Sequence, residues 1–161
     1  MFNIFKKNKE VKLFAPLTGK IIDLSEVPDD VFANKVVGDG VAIEPTDNIL
    51  VSPITGVIKQ IFPTKHAVGL ETSQGVQILM HIGINTVDLN GKGFEKLIEE
   101  KSEVELGDKL IKFDPEYIKE NATSLITPIL ITNVDGVGNI EVTDVDEVAA
   151  GEDEIITVNN I

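Results

Sequence analysis

The sequence predicts an all-β domain, an antiparallel sandwich or barrel carrying one or two short helices. Three observations predict it. Short apolar runs alternate with turn residues along most of the chain. A segment bearing proline, threonine and glycine near the start recurs 37 residues later. Helical periodicity, by contrast, is confined to brief stretches.

The elements follow in order. Residues 1–11 read as a flexible tail, in which Phe2, Ile4 and Phe5 mix with Lys6, Lys7 and Lys9. This run is too short and too interrupted for a signal peptide. Two readings stay open for it: weak contact with an anionic membrane surface as a small amphipathic turn, or a frayed soluble end. Residues 12–161 read as one domain. Ala15-Pro16-Leu17-Thr18-Gly19-Lys20-Ile21-Ile22 is echoed by Ser52-Pro53-Ile54-Thr55-Gly56-Val57-Ile58-Lys59. Each copy reads as a turn feeding a strand, with proline where a missing N–H is harmless. A looser echo pairs Gly38-Asp39 with Gly107-Asp108 as strand-to-strand turns. Strands are expected over Gly40–Glu44, Val57–Phe62, Val76–Ile82 and Ser124–Thr132. Phe94, Leu97 and Ile98 sit at i, i+3 and i+4, which predicts a short helix over Gly93–Lys101. Asp114 before Pro115 predicts a helix N-cap and a turn through Glu120. The acidic run Glu141–Glu154 reads as a solvated edge.

Composition removes several functions. The net charge is -13 and all 14 cationic residues are lysines. Nucleic acid needs a basic face, so no nucleic-acid partner is expected. Without arginine there is no bidentate clamp for phosphate, and other donors or a partner must supply one. The absence of cysteine excludes disulfides and thiol nucleophiles and suits the reducing cytoplasm. No apolar run reaches the roughly 20 residues of a membrane span.

The chain has two histidines, His66 and His81. The stretch Thr72-Ser73-Gln74-Gly75 between them has turn composition, with apolar-rich strands on either side. A two-residue loop at Ser73 and Gln74 places Thr72 opposite Gly75. In that register His66 opposes His81, and Val68 opposes Leu79 on the same outer face. Directly opposed residues have Cβ atoms about 4.5–5.5 Å apart. Ala67, Val76, Ile78, Met80 and Ile82 then form the core face. A one-residue bulge would break the inference. Paired imidazoles can act as acid and base, bind a metal with help, or serve as nucleophile and charge support. An imidazole with a pKa near 6.5 offers a neutral nitrogen at cytoplasmic pH.

The wording around both histidines resembles the glucose-type enzyme IIA family of the bacterial phosphoenolpyruvate:sugar phosphotransferase system. The matching pieces include Ala15-Pro16-Leu17-Thr18-Gly19, Val27-Pro28-Asp29 with Val31-Phe32-Ala33, and Val37-Gly38-Asp39-Gly40-Val41-Ala42-Ile43. They continue through Pro53-Ile54-Thr55-Gly56, Thr64-Lys65-His66-Ala67, His81-Ile82-Gly83-Ile84, Gly91-Lys92-Gly93-Phe94 and Thr127-Pro128. The resemblance implies an antiparallel β-sandwich built on a duplicated hybrid motif. It implies that HPr, phosphorylated on histidine, gives its phosphoryl group to His81 Nε2, which passes it to a cysteine of a transporter's IIB domain. His66 would support the phosphate, Thr64 would orient His66, and the Gly83 carbonyl would accept a hydrogen bond from His81 Nδ1. Asp29, Val31, Phe32, Phe62, Val68 and Leu79 would lie around the site and meet partners. Asn85 stands where the family commonly has aspartate, so a charge is lost there. No cofactor is required; a zinc ion bridging His66 and His81 to a partner's carboxylate is a further option in this family.

Other readings compete. A zinc peptidase needs three protein ligands, commonly with a His-x-His pair, and this chain has two histidines fifteen apart. A carrier domain with a modified lysine would use Lys109 at a turn, yet Gly38-Asp39 forms a similar turn without lysine. A regulator that binds other proteins according to phosphorylation state is compatible with phosphoryl transfer. The sugar is not legible, since sugar contacts would lie in the transporter.

Overall fold

The structure, a computed structural model, describes residues 10–159. Both readings of the N-terminal tail, membrane contact or a frayed end, fall on residues 1–9, which lie outside the described residues. Fourteen strands are present among them, with two short α-helices. The strands are β1 (Glu10–Phe14), β2 (Gly19–Ile22), β3 (Asp39–Pro45), β4 (Ile49–Val51), β5 (Gly56–Ile61), β6 (Ala67–Glu71) and β7 (Gln77–His81). They continue as β8 (Phe94–Lys96), β9 (Glu103–Val104), β10 (Lys109–Phe113), β11 (Thr127–Ile131), β12 (Ile140–Val142), β13 (Glu147–Val148) and β14 (Glu154–Asn159). The helices are α1 (Asp30–Ala33) and α2 (Pro115–Asn121).

An eight-stranded sheet runs in the order β13-β2-β3-β11-β7-β6-β5-β9. Two three-stranded sheets, β1-β14-β12 and β4-β10-β8, accompany it. The strand pairs are antiparallel, as the all-β expectation required. β1 already includes Glu10 and Val11, so the paired strand begins inside the span read as a tail.

The internal echo is a structural duplication. Gly19 and Gly56 each open a strand, and a Cβ on either would meet a neighbouring backbone carbonyl, at 2.1 Å from Glu44 O and 2.7 Å from Glu71 O. The Phe14 N–H donates to the Pro53 carbonyl, and the Val51 N–H donates to the Pro16 carbonyl, each at 2.9 Å. Those bonds exchange under the 37-residue shift, so the two copies lace reciprocally. The looser echo is corrected. Gly107 and Gly151 are the equivalents, donating to the carbonyls of Ser52 and Ala15, the matching first residues of the two copies.

The expected helix at Gly93–Lys101 does not form. Phe94 instead pairs with Phe113 in the β8–β10 ladder, and Gly93 turns the chain at φ +88°. Leu97 stays 38% exposed, so the helical spacing was coincidental. The second expected helix is α2, with the Asp114 side chain accepting the Tyr117 N–H and Pro115 in the first turn. In the run from Glu141 to Glu154 the acidic side chains are exposed, while Val148 is buried in the main core.

Two cores sit on either side of the large sheet. The main one gathers Leu50, Ile58, Leu70, Ile78, Met80 and Ile129 with many others. The smaller one joins Leu24, Val27, Phe32, Ala42, Ile84 and Leu130, with Leu79 packed against it. The segment carrying α1 therefore covers part of the face that bears His81. Burying Phe32 there contributes roughly 2 kcal/mol.

Candidate functional site

The hairpin between the histidines closes differently from the two-residue loop. The Thr72 N–H donates to the Val76 carbonyl at 3.0 Å, and the Gly75 N–H donates to the Thr72 carbonyl at 2.9 Å. Gly75 has φ +90°, the left-handed residue of a three-residue loop with a bulge. The register moves by one. Ala67 faces His81, Val68 faces Met80, and Gly69 faces Leu79. Alternation then turns Val68 inward, fully buried in the main core, so its expected place around the site is wrong. Ala67 is likewise corrected, standing across from His81.

The two rings meet all the same. His66 precedes β6 and follows Lys65, whose φ of +62° ends the regular strand. Its ring is therefore free of the strand's alternation, and the small Ala67 leaves room beside His81. The ring centroids of His66 and His81 lie 4.8 Å apart at 79°, edge to face. Phe32 packs on His81 at 4.9 Å, and Phe62 packs on His66 at 5.5 Å.

Each Nδ1 is occupied. Thr64 Oγ1 is 2.6 Å from His66 Nδ1, and His81 Nδ1 donates to the Gly83 carbonyl at 2.8 Å. A carbonyl can only accept, so neutral His81 carries its proton on Nδ1 and leaves Nε2 bare. Gly83 reaches back to His81 because its φ is +73°. The hydroxyls of Thr86 and Thr127, both fully buried, bond to the peptide next to it. Sequence reasoning gave these threonines no role: Thr86-Val87 and Thr127-Pro128 entered only as pieces of the family resemblance, and nothing in the residues themselves pointed to the Gly83 peptide.

Exposure differs between the rings. His66 is buried at 2% exposure, whereas His81 is half-buried and reaches solvent. The expectation of two outward imidazoles thus holds for His81 alone. Burial pushes the His66 pKa down to about 4, with repulsion from His81 adding to it. Burial also lowers His81, opposed by its bond to Gly83 and by the charge of Asp29. Both rings are neutral at pH 7.

Asp29 caps α1, its carboxylate accepting the Val31 N–H at 2.9 Å. That cap fixes the turn that lays Phe32 against His81 and leaves Val31 46% exposed. Leu79, two residues before His81 on β7, shares its face. Asn85 adopts a left-handed conformation and donates from Nδ2 to Thr123 Oγ1 at 2.6 Å. No group of three or more His, Cys, Asp or Glu able to hold a metal occurs among the described residues. A zinc ion at the two Nε2 atoms would need further ligands from a partner. A cleft of about 910 Å³ beside Lys59, Glu71 and Glu103 contains neither histidine. Phe32 and Phe62 give the histidine site an apolar rim.

Comparison with known proteins decides what this surface belongs to. Residues 11–137 match the family "phosphoenolpyruvate-dependent sugar phosphotransferase system, EIIA 1". The chain belongs to this EIIA family. A Staphylococcus epidermidis protein named PTS system glucose-specific EIIA component is 49% identical over 151 residues, covering 94% of this chain and 91% of that one. A Staphylococcus aureus protein of the same name is 46% identical over 159 residues, covering 96% of each. The solved structure of glucose permease IIA from Mycoplasma capricolum superposes with a TM-score of 0.87 at 41% identity, covering 92% of this chain and 96% of that one. As an EIIA protein the chain is a component of the phosphotransferase system. Among its described residues no helix is long and apolar enough to cross a membrane.

Proposed function

We propose that this EIIA protein is a phosphocarrier in the cytoplasm, taking a phosphoryl group from phosphorylated HPr onto His81 Nε2. It then delivers the group to a cysteine of the IIB domain of a glucose-type sugar transporter. The glucose assignment follows the names of its relatives.

The chemistry balances without a proton relay. Nε2 of neutral His81 forms a bond to phosphorus as the bond from phosphorus to the donor histidine breaks. The donor leaves as neutral imidazole. In the second step the cysteine thiolate attacks phosphorus and His81 Nε2 leaves. The observation that carries the reading is the half-buried His81 ring, with Nδ1 committed to Gly83 and its neighbour His66 4.8 Å away.

His66 suits a supporting role. With the Thr64 hydroxyl donating to Nδ1, the His66 proton sits on Nε2, where it can donate to a phosphate oxygen. Its depressed pKa keeps it a neutral donor, so it does not hold the phosphate too tightly for onward transfer. Phe32, Phe62 and Leu79 wall the site and limit water that would hydrolyse the intermediate. Asp29 and Val31 border the same surface and meet the partners. The chain has no arginine, so any bidentate guanidinium clamp on the phosphate comes from those partners.

The test is incubation with phosphoenolpyruvate, enzyme I and HPr. Wild type should gain acid-labile phosphate, His81→Ala none, and His66→Ala should accept phosphate but pass it on poorly. Equal labelling of all three would overturn the assignment.

A further inference from the structure

The bond from His81 to Gly83 raises a question of rigidity. Gly83 has no side chain to restrict it, and glycine enters left- and right-handed conformations with similar ease. Its carbonyl would drift away from His81 unless something fixed both dihedrals. Two successive peptide units are in fact held. In the unit joining Ile82 to Gly83, the Ile82 carbonyl accepts from Thr86 Oγ1 at 2.7 Å. At its other end the Gly83 N–H donates to Thr127 Oγ1 at 3.2 Å. In the next unit, the Ile84 N–H donates to the Ser124 carbonyl at 2.9 Å, and the Gly83 carbonyl faces His81 Nδ1.

The threonines are well placed for this. Both are fully buried, so neither hydroxyl can trade its partner for water. Thr127 Oγ1 also donates to the Leu125 carbonyl at 2.9 Å, so its proton points there and its lone pair is left for Gly83. Thr127 belongs to β11, which is locked between β3 and β7. The clamp is therefore anchored in the centre of the large sheet, not in the loop it restrains.

We propose that Thr86 and Thr127 are positioning residues for His81. Their hydroxyls clamp both ends of the Ile82–Gly83 peptide and so hold the carbonyl that keeps the His81 proton on Nδ1. Losing either hydroxyl lets Gly83 rotate, and neutral His81 then populates the form protonated on Nε2, which cannot attack phosphorus. The consequence for transfer rests on the functional reading above; the consequence for the tautomer does not.

The experiment is nitrogen-15 NMR of the histidine rings in the full chain, with the rate of phosphoryl acceptance from phospho-HPr measured alongside. The two histidines make assignment direct. Thr127→Val and Thr86→Val keep the shape and lose the hydroxyl. Each should show a mixture of His81 tautomers and a rate lower by about tenfold or more. Thr127→Ser and Thr86→Ser should restore both readouts. Should one valine variant fail to fold, the other decides by the same spectra. Valine variants that fold with His81 still wholly protonated on Nδ1 would overturn the proposal, as would serine variants that behave like valine. A wild-type chain that takes no phosphate would defeat the functional reading while the spectra still judge the clamp.

Discussion

Replacing Gly83 by alanine perturbs the site through its backbone, and the cost can be worked from the geometry. Gly83 has φ +73°, where an L-residue pays roughly 1–2 kcal/mol. The new Cβ would also lie 2.7 Å from Thr86 Cγ2 and 2.8 Å from the Ser124 carbonyl oxygen. Neither neighbour can retreat freely. Thr86 is tied to the Ile82 carbonyl, and the Ser124 oxygen accepts the Ile84 N–H. Overpacking of this kind costs about 1–3 kcal/mol. The expected loss is roughly 2–5 kcal/mol, which a domain of ordinary stability survives. Gly75→Ala supplies the control: its φ is +90°, but nothing lies within 4 Å of the added Cβ. It should lose only the conformational part, roughly 1–2 kcal/mol. Urea unfolding of both variants beside wild type measures the difference. Gly83→Ala should also loosen the His81 bond and show a mixed ring tautomer by nitrogen-15 NMR. Equal losses for the two variants, or an unchanged His81 tautomer, would refute the reasoning.

Three further outcomes follow from the same structure. His66 is neutral in the fold down to about pH 4, whereas the unfolded chain protonates it near 6.5, so between those values the unfolded state binds more protons. Stability should therefore fall as pH drops through that window, by on the order of 3 kcal/mol, and urea unfolding of His66→Gln should show a shallower dependence. Asp47 is the opposite case: burial raises its pKa, and its Oδ1 has no hydrogen-bond partner while Oδ2 accepts the Thr18 N–H. Its charge is a cost at neutral pH, so Asp47→Asn should raise the melting temperature at pH 7, with the advantage vanishing as acid protonates the wild-type carboxyl; a pH-independent difference would count against this. Asn85→Asp should move the Michaelis constant for phospho-HPr while changing unfolding free energy by less than about 0.5 kcal/mol, because the residue is exposed and the Thr123 hydroxyl can donate to a carboxylate. A large stability loss with an unchanged Michaelis constant would contradict it.

Where local chemistry decided the outcome, the sequence was a good guide. Asp114 and Pro115 announced α2 because a cap and a proline act within one turn. The repeat announced two equivalent strands because each glycine lies under a crossing carbonyl that only glycine admits. The spacing of Phe94, Leu97 and Ile98 misled because the helix signal and a short strand followed by a turn are indistinguishable over so few residues. The pairing of Phe94 with Phe113 joins residues far apart in the chain, and no local pattern reports it.

The histidine pair shows a subtler division. The two-residue loop gave a register in which the rings meet, and the rings do meet, but for another reason. Gly75 at φ +90° adds a residue to the loop and shifts the ladder, which by strict alternation would separate His66 from His81. The left-handed Lys65 then takes His66 out of the ladder's alternation. Two departures from regular strand geometry thus offset each other, and only the composition around each, Gln74-Gly75 and Thr64-Lys65, hints at them. Burial was harder still to foresee. Phe32 comes from α1, which is four residues long and has no periodicity to read, yet its ring packs against His81 at 4.9 Å. The resulting asymmetry agrees with the proposed division of roles: the ring that solvent reaches has Nδ1 on the Gly83 carbonyl and Nε2 bare, as the proposed acceptor requires, and the covered ring is the one proposed to support the phosphate.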